Sequence, residues 1–315
     1  MPKRLIIDSD TGIDDAAALL LALASPELSI EALTIVYGNG EADVCTRNAL
    51  TVLEKAGRGD IPVYTGTNQP LLSPVEYAYY VCGNNAFGDI VYDLPKRSRE
   101  LKHAVSAMVD IIMANPGEIT LVGLGPLTNI ALALALEPRI ATNVKELVLM
   151  GGAVLTYGNA SEVASGNLWH DPEAAAMVYR SGAPLVQIGL DVCRKIVFLQ
   201  DEFTRIQQAG TPTTDMLAKI SVQLSNFYHT TNDIQNDGYV SYNDVPAIAY
   251  LINPGLYTAE EYYVRISVHE ELTRGQTVAD IGRRTGQKPN AKVLMDVNAP
   301  ALKNLFLERV IHYQN

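Results

Sequence analysis

Four aspartates lie close together near the start of the chain, at Asp8, Asp10, Asp14 and Asp15. They follow a short apolar run at residues 5–7 and precede an alanine- and leucine-rich segment that is typical of a helix. One or two carboxylates could cap that helix, because its positive dipole end favours negative charge. Four exceed what capping needs, and their repulsion would be costly without a cation. The sequence therefore predicts a site for a hard, oxygen-preferring metal such as Ca²⁺ or Mg²⁺.

The acids need a scaffold, and the hydrophobic pattern predicts one. Strand-like runs recur at residues 5–7, 30–37, 119–124, 147–150 and 184–190, and helical patterns at 16–24, 41–57, 100–114, 127–136 and 171–180. This alternation predicts a single α/β domain over residues 1–315, with an open, mostly parallel sheet flanked by helices and a Rossmann-like core. In such sheets ligands bind beyond the carboxyl ends of the strands, where the acids lie.

Two further segments have a distinctive composition. Residues 66–99 carry few helical signals, and a long irregular segment inside a domain is usually functional or mobile. Residues 211–240 predict a helix followed by a polar, aromatic loop that ends in Asn236, Asp237 and Gly238.

Composition limits the classes of function. The chain has 315 residues, 48% of them hydrophobic, and a net charge of −11, which argues against a nucleic-acid groove. Cys45, Cys82 and Cys193 show neither zinc spacing nor a disulfide framework. No stretch approaches the ~20 apolar residues of a membrane span, and no signal-peptide pattern stands at the start. We expect a cytoplasmic protein with a small-molecule ligand and no nucleic-acid or membrane partner.

Further motifs follow the aspartates in a fixed order. They are Asp-x-Asp-x-Gly-x-Asp-Asp at 8–15, Val-Tyr-Gly-Asn at 36–39, Gly-Leu-Gly-Pro-Leu-Thr-Asn at 123–129, Leu-Met-Gly-Gly at 149–152, Gly-Asn-Ala at 158–160, Asn167, Asp-Pro-Glu-Ala-Ala at 171–175 and Asn-Asp-Val-Pro-Ala at 243–247. This ordered set resembles the inosine-uridine nucleoside hydrolases and covers most of the chain. The resemblance implies hydrolysis of the N-glycosidic bond of a ribonucleoside, and a homodimer or homotetramer.

The resemblance also implies which residues hold the metal and activate water. Asp10 would be the general base, and a Ca²⁺ ion would be held by Asp10, Asp15, Asp244 and the main-chain carbonyl of Leu124. Asp8 would brace the turn behind them. Without the resemblance, Asp244 could equally be the N-cap of a helix at 246–252, and nothing would single out Leu124.

A second set of positions would bind the nucleoside. Asp14 and Asn39 would contact ribose hydroxyls, and Asn167 the 2′/3′ side of the sugar. The full predicted set is Asp14, Asn39, Met150, Asn159, Ser165, Asn167, Asn243 and Asp244. From its residues alone, Asn39 between two glycines could be only a turn residue that tolerates left-handed backbone geometry.

Three positions depart from the family pattern. Asn243 stands where many members have the histidine that protonates the leaving base, and an amide cannot give up a proton at neutral pH. Cys82 stands where many have histidine, and could be either a functional group or a small buried hydrophobe. Ser165 stands where a glutamate contacts the 5′ end of ribose, which predicts a roomier pocket there.

The proton for the leaving base would then come from another side chain. The candidates near the expected base position are His170, His229, Tyr228, Tyr239 and Tyr242, with Trp169 as a stacking residue.

Two other classes of function remain open from the sequence. One is a non-catalytic nucleoside-binding protein that keeps the metal site. The other is a haloacid-dehalogenase-type phosphatase, which also begins with a strand and Asp-x-Asp, although Gly12 stands where that family has threonine or valine.

Overall fold

Twelve strands are present in the computed structural model, which describes residues 1–231, 238–269 and 271–313. They are β1 (Lys3–Ser9), β2 (Leu28–Ile35), β3 (Val63–Thr65), β4 (Ile119–Gly123), β5 (Glu146–Met150), β6 (Leu185–Ile188), β7 (Phe198–Leu199), β8 (Gly238–Val240), β9 (Tyr257–Tyr262), β10 (Val264–Ile266), β11 (Thr277–Ala279) and β12 (Ala291–Val297). Eight of them form one sheet in the order β3-β2-β1-β4-β5-β6-β12-β9. All neighbours in it are parallel except β12 and β9.

Helices connect and cover these strands. They are α1 (Ile13–Leu23), α2 (Ala42–Lys55), α3 (Tyr79–Cys82), α4 (Ala104–Ala114), α5 (Thr128–Leu136), α6 (Ile140–Asn143), α7 (Gly166–His170), α8 (Pro172–Arg180), α9 (Leu190–Cys193), α10 (Gln200–Ala209), α11 (Pro212–Thr231), α12 (Val245–Ile252) and α13 (Ala299–Ile311). Single 3₁₀ turns lie at Pro254–Leu256 and Glu271–Thr273. The strand pairs β7–β8 and β10–β11 stand apart from the main sheet. In the part of the chain that the structure describes, no helix combines the length and apolarity needed to cross a membrane.

The strand order reverses direction beside β1. From β1 the chain builds outward through β2 and β3, and it then returns to the other side of β1 with β4, β5 and β6. Asp8 pairs with Thr34 of β2 on one side and Gly123 of β4 on the other, so β1 is held in register on both sides. A crevice opens beyond the strand ends at such a reversal, and it is the usual ligand site of open α/β sheets.

The packing around helix α1 explains why its sequence is almost uniformly apolar. Every residue of α1 from Asp15 to Ala22 is buried, because the helix packs against α11, α12 and α13 as well as the sheet. Leu5, Ile6 and Ile7 of β1 are completely buried as well. The acidic turn between β1 and α1 is therefore anchored at both ends in the core.

The predicted α/β fold is confirmed, with small shifts in element boundaries. The helix predicted at residues 100–114 is wrong over residues 100–103, because α4 begins only at Ala104. His103 caps it by accepting the backbone N–H of Val105 at 3.3 Å, and Glu100 instead forms a bridge with Tyr64. Strand β3, the strands after residue 197, and helices α3, α6, α7, α9, α10 and α13 add to the predicted set. Several of these strands have only two or three residues, too few for a hydrophobic period to appear.

Candidate active site

The acidic turn is held by one of its own aspartates. The carboxylate of Asp15 accepts the backbone N–H of Gly12 at 2.9 Å and the hydroxyl of Ser9 at 2.7 Å. Gly12 is the N-cap of α1, so Asp15 satisfies a backbone donor that the helix itself cannot. The capping role considered for one of the four acids is therefore present, and it belongs to Asp15.

Asp10 sits in a space that two glycines leave open. Its Oδ2 accepts the backbone N–H of Asn39 at 2.7 Å. A Cβ atom on Gly125 would lie 2.7 Å from Asp10 Oδ1, and one on Gly38 would overlap Asp10 Oδ2. The ends of β2 and β4 can close on this carboxylate only because neither position has a side chain.

Asp14, Asp15 and Asp244 come together although Asp244 is distant in sequence. One carboxylate oxygen from each lies within 4.8 Å of the others, whereas Asp10 falls outside this group and interacts with Asp15 and Asp14 through its charge. Asp244 occupies the N-cap position of α12 but makes no capping hydrogen bond with its side chain. Capping therefore does not explain Asp244, whereas a shared cation would.

Burial raises the pKa of Asp10, Asp14, Asp15 and Asp244. Repulsion between the carboxylates raises the pKa further for all of them except Asp15. The pKa of Asp14 rises to about 7, chiefly through burial and then through Asp15. The pKa values of Asp10 and Asp244 rise well above the usual range for the same two reasons. Such a cluster cannot be fully ionised at neutral pH without a compensating positive charge. The all-oxygen donor set fits a hard divalent cation.

Asp8 lies behind the cluster and faces the sheet. Its Oδ1 accepts the hydroxyl of Thr34 at 2.8 Å and the amide of Asn129 at 2.9 Å, while Oδ2 is buried without a partner among the described residues. Burial raises the pKa of Asp8 to about 7. Asp8 thus ties β1 to β2 and α5, which agrees with the bracing role expected for it.

Asn39 is not the turn residue that its glycine neighbours suggest. It does not have a positive φ, and its side-chain Nδ2 donates to Asp15 Oδ2 at 3.0 Å and to the main-chain oxygen of Asp10 at 3.3 Å. Its Oδ1 accepts the thiol of Cys82 at 3.3 Å. Burial, and then the charge of Asp14, raises the pKa of Cys82 well above its ordinary value, so the thiol keeps its proton.

Asn167 connects the ends of two further strands. Its Nδ2 donates to the main-chain oxygens of Leu124 and Met150, the latter at 3.1 Å. The main-chain N–H of Leu124 donates to the main-chain oxygen of Asp8 at 2.8 Å, which holds the residue that bears the predicted ligand carbonyl. The Leu124 carbonyl has a second lone pair and so can accept another partner.

One pocket collects most of the predicted residues. It is lined by Asp10, Asp14, Asn39, Leu124, Met150, Asn159, Asn167, Asn243 and Asp244, and also by Cys82 and His170. Asp15 is completely buried and absent from this lining, although its carboxylate lies beside those of Asp14 and Asp244. Ser165 is also absent from the lining, because its buried hydroxyl accepts the backbone N–H of Gly152 at 2.6 Å. The loss of glutamate at 165 therefore leaves this part of the pocket to Asn159, Ala160 and Gly166.

The opposite wall of the pocket contains aromatic and apolar residues that the sequence did not single out. They are Ala78, Tyr80 and Val81 around α3, and Leu224 and Phe227 on α11 beside Tyr228. The rings of Tyr80 and Phe227 are 6.0 Å apart, so the two helices meet over the pocket. No sequence signal separates these residues from ordinary core aromatics, because both occur at helical spacing.

The structure also sorts the candidates for a proton donor. Tyr228 and His170 line the pocket, and the hydroxyl of Tyr228 accepts Asn243 Nδ2 at 3.3 Å. Burial lowers the pKa of His170, so its imidazole is neutral at neutral pH.

The remaining candidates lie elsewhere. Tyr242 is buried against Ser221, Tyr239 stacks on Phe203, and His229 is exposed. Trp169 donates to Glu76 at 3.3 Å and is absent from the pocket lining. Asn236 and Asp237 of the predicted loop fall outside the described residues.

Comparison with known proteins gives a consistent result. A family model described as inosine-uridine preferring nucleoside hydrolase matches residues 5–304. The inosine-uridine preferring nucleoside hydrolase of Leishmania major is 39% identical over 283 residues, which cover 89% of this chain and 88% of that protein. The probable uridine nucleosidase 2 of Arabidopsis thaliana is 35% identical over 318 residues, which cover 98% of each.

Solved structures point to the same family. A purine-preferring ribonucleoside hydrolase from Gardnerella vaginalis superposes with a TM-score of 0.93 and 31% identity over 99% of both chains. These similar proteins are named for different nucleosides, so base preference varies among them.

Proposed function

The chain belongs to the inosine-uridine preferring nucleoside hydrolase family, and on that premise we propose how it cleaves a ribonucleoside to free base and ribose. It is a hydrolase of N-glycosyl bonds whose substrate is a small-molecule nucleoside. The finer proposal is that Asp10 activates the attacking water at a Ca²⁺ site. We also propose a cytoplasmic location and a homodimer or homotetramer.

The observation that carries the proposal is the meeting of Asp10, Asp14 and Asp244 in one pocket with Asn39 and Asn167. The carboxylates supply a base and the ligands for a cation. The two amides and Asp14 supply partners for sugar hydroxyls. A phosphatase of the haloacid-dehalogenase type would leave Asn39, Asn167 and Asp244 without a role.

Each residue has a part in the proposed chemistry. Asp10, Asp15, Asp244 and the Leu124 carbonyl would hold the cation, which when bound supplies charge stabilisation and a lowered pKa for water. Asp10 would then take the proton of the attacking water, since the N–H of Asn39 fixes its Oδ2. The remaining negative charge near the sugar would favour an oxocarbenium-like transition state.

The leaving base needs its own partners. Asn243 can donate a hydrogen bond to a base but cannot transfer a proton to it. Tyr228 lies beside Asn243 and carries a hydroxyl that can do both. We therefore propose that Tyr228 takes the role left vacant at 243.

The test is release of free base from a panel of purine, pyrimidine, 2′-deoxy and 5′-modified nucleosides, each with Ca²⁺ and with a chelator. We expect ribonucleosides to be cleaved, the activity to be lost on chelation, and Ca²⁺ to restore it. Tight nucleoside binding without any base release would instead indicate a non-catalytic binding protein. Release of phosphate from a generic phosphate ester, with no nucleoside cleaved, would contradict the proposal.

A further inference from the structure

The amide of Asn39 has two chemically different ends, and only one of them suits the acids beside it. Its Nδ2 faces Asp15 Oδ2 at 3.0 Å and the main-chain oxygen of Asp10 at 3.3 Å. Both Nδ2 protons are therefore used. If the amide were turned over, its oxygen would face these two oxygens and three acceptors would repel one another. The function of Asn39 depends on this orientation being kept.

The other end of the amide requires a donor, and Cys82 provides it. The thiol lies 3.3 Å from Asn39 Oδ1, within the range of an S–H···O hydrogen bond. Cys82 is only 1% exposed, so water cannot readily replace the thiol. A carbonyl oxygen has two lone pairs, so one remains for a second donor from the pocket.

The thiol is held in place by the backbone around α3. The N–H of Ala78, just before this helix, bonds to the oxygen of Gly38 at 2.9 Å and joins α3 to the turn that carries Asn39. After Cys82 the chain turns through Gly83 with φ +83°, where a Cβ atom would lie 2.9 Å from Asp89. The position of the thiol relative to Asn39 is thus fixed from both sides.

We propose that Cys82 is a positioning residue for the substrate sugar. Its thiol holds the Asn39 amide with the nitrogen toward the acids and the oxygen toward the pocket, where the second lone pair accepts a ribose hydroxyl. Cys82 itself does not touch the reacting atoms. The proposal rests on the proposed nucleoside hydrolase function, because it needs a sugar in this pocket.

The test compares Cys82→Ala and Cys82→Ser with the wild type on one ribonucleoside and its 2′-deoxy and 3′-deoxy analogues. For Cys82→Ala we expect kcat/KM on the ribonucleoside to fall about 3- to 10-fold, which is the usual worth of one hydrogen bond. For the deoxy analogue that lacks the hydroxyl bound by Asn39, kcat/KM should fall much less in Cys82→Ala. Cys82→Ser restores an O–H donor and should give a discrimination ratio closer to that of the wild type.

Cys45→Ala is the matched control, because it also replaces a buried free thiol by a methyl group. It should leave the ratio of ribonucleoside to deoxynucleoside cleavage unchanged. The unfolding temperatures of all variants show whether each is folded. An unchanged ratio in folded Cys82→Ala, or an equal change in Cys45→Ala, would overturn the positioning role.

Equilibrium binding separates this proposal from the proposed function. Calorimetric titration with the same nucleosides in the Asp10→Asn background, where turnover is expected to be slow, measures the corresponding binding ratio. If the wild type cleaves nucleosides and Cys82→Ala leaves the ratio unchanged, only the role of Cys82 is contradicted. Wild-type binding without cleavage removes only the hydrolase function, and the binding ratio still decides on Cys82. A wild type that neither binds nor cleaves any of them removes both.

Discussion

The two walls of the pocket are built in different ways. The metal and sugar side is built at the ends of strands, with Asp10 directly after β1 and Leu124 directly after β4, and on helices that begin beside the same pocket, with Asp14 on α1 and Asn167 on α7. The base side consists of side chains on helices, among them Tyr80 of α3 and Phe227 of α11. Asp10 is 3% exposed and held by a backbone hydrogen bond, whereas Tyr80 is 63% exposed and makes a ring contact.

This difference suggests which properties of the enzyme can vary. The strand ends are fixed by ladder hydrogen bonds and glycines, so the bond-breaking groups cannot move without a cost to the fold. Exposed residues on these helices, such as Tyr80, can be exchanged with little effect on the sheet. We infer that the chemistry is constrained by the fold, while the preferred base is set by the helices.

The largest expected effect is on the metal and sugar side of the pocket. Asp10→Asn keeps the shape and one oxygen of the side chain but removes its ability to take a proton. We expect kcat to fall by about 10²–10⁴-fold while nucleoside binding changes much less. Steady-state kinetics together with calorimetric binding measure the two quantities separately.

Asp8→Asn is a suitable control for this change. Asp8 is similarly buried and lies in β1, which Asp10 directly follows, but it is absent from the pocket lining and contacts Thr34 and Asn129. Its substitution should reduce kcat far less than Asp10→Asn. Near-native turnover in Asp10→Asn would show that another group is the base.

The same difference between the walls explains how far the sequence predicts the site. Asp10, Asp14 and Asp15 lie close together in sequence, so the local density of acidic side chains itself predicts a site. Asp244 is distant, and composition alone could not separate a ligand from an N-cap. The absence of a capping hydrogen bond in the structure argues against the N-cap role, and the ligand role stays a proposal.

Other parts of the site leave no trace in the sequence. Phe227 lies on a helix in a pattern that also fits core packing. Whether Ser165 faces the pocket depends on one hydrogen bond, to the N–H of Gly152, which no local pattern encodes. Long-range contacts of this kind are visible only once the chain is folded.

A smaller effect is expected from the glycines that make room for Asp10. Gly125→Ala places a methyl group 2.7 Å from Asp10 Oδ1 and 3.0 Å from Val36, so the carboxylate must move. We expect kcat to fall by up to about 10²-fold, since small displacements of catalytic groups are costly. Unfolding should also become easier, by about 1–3 kcal/mol. Thermal denaturation and steady-state kinetics measure both.

Gly59→Ala is the matched control, because a Cβ atom there meets nothing within 4 Å. It should be close to neutral in both measurements. Full activity in Gly125→Ala would mean that the strand ends tolerate movement, and the contrast between the two walls would then be weaker than we infer.

The smallest effect is expected on the base side. Asn243→His introduces an imidazole that can donate a proton next to Tyr228. We expect the ratio of kcat/KM for inosine to that for uridine to rise roughly tenfold, because purines depend more on protonation of the leaving base. The expected change in this ratio is modest because no neighbouring residue has been selected to orient an imidazole at position 243. A loss of activity on both nucleosides, with no change in ratio, would argue that position 243 serves the acids rather than the base.

The order of the strands also matters while the protein is being made. β12 lies inside the sheet, between β6 and β9, although it is the last strand of the chain. Until residues 291–297 leave the ribosome, β6 lacks its partner on that side of the described sheet, and the unpaired edge can pair with another chain. Shortened or interrupted chains should therefore aggregate even though the whole acidic cluster has already been synthesised.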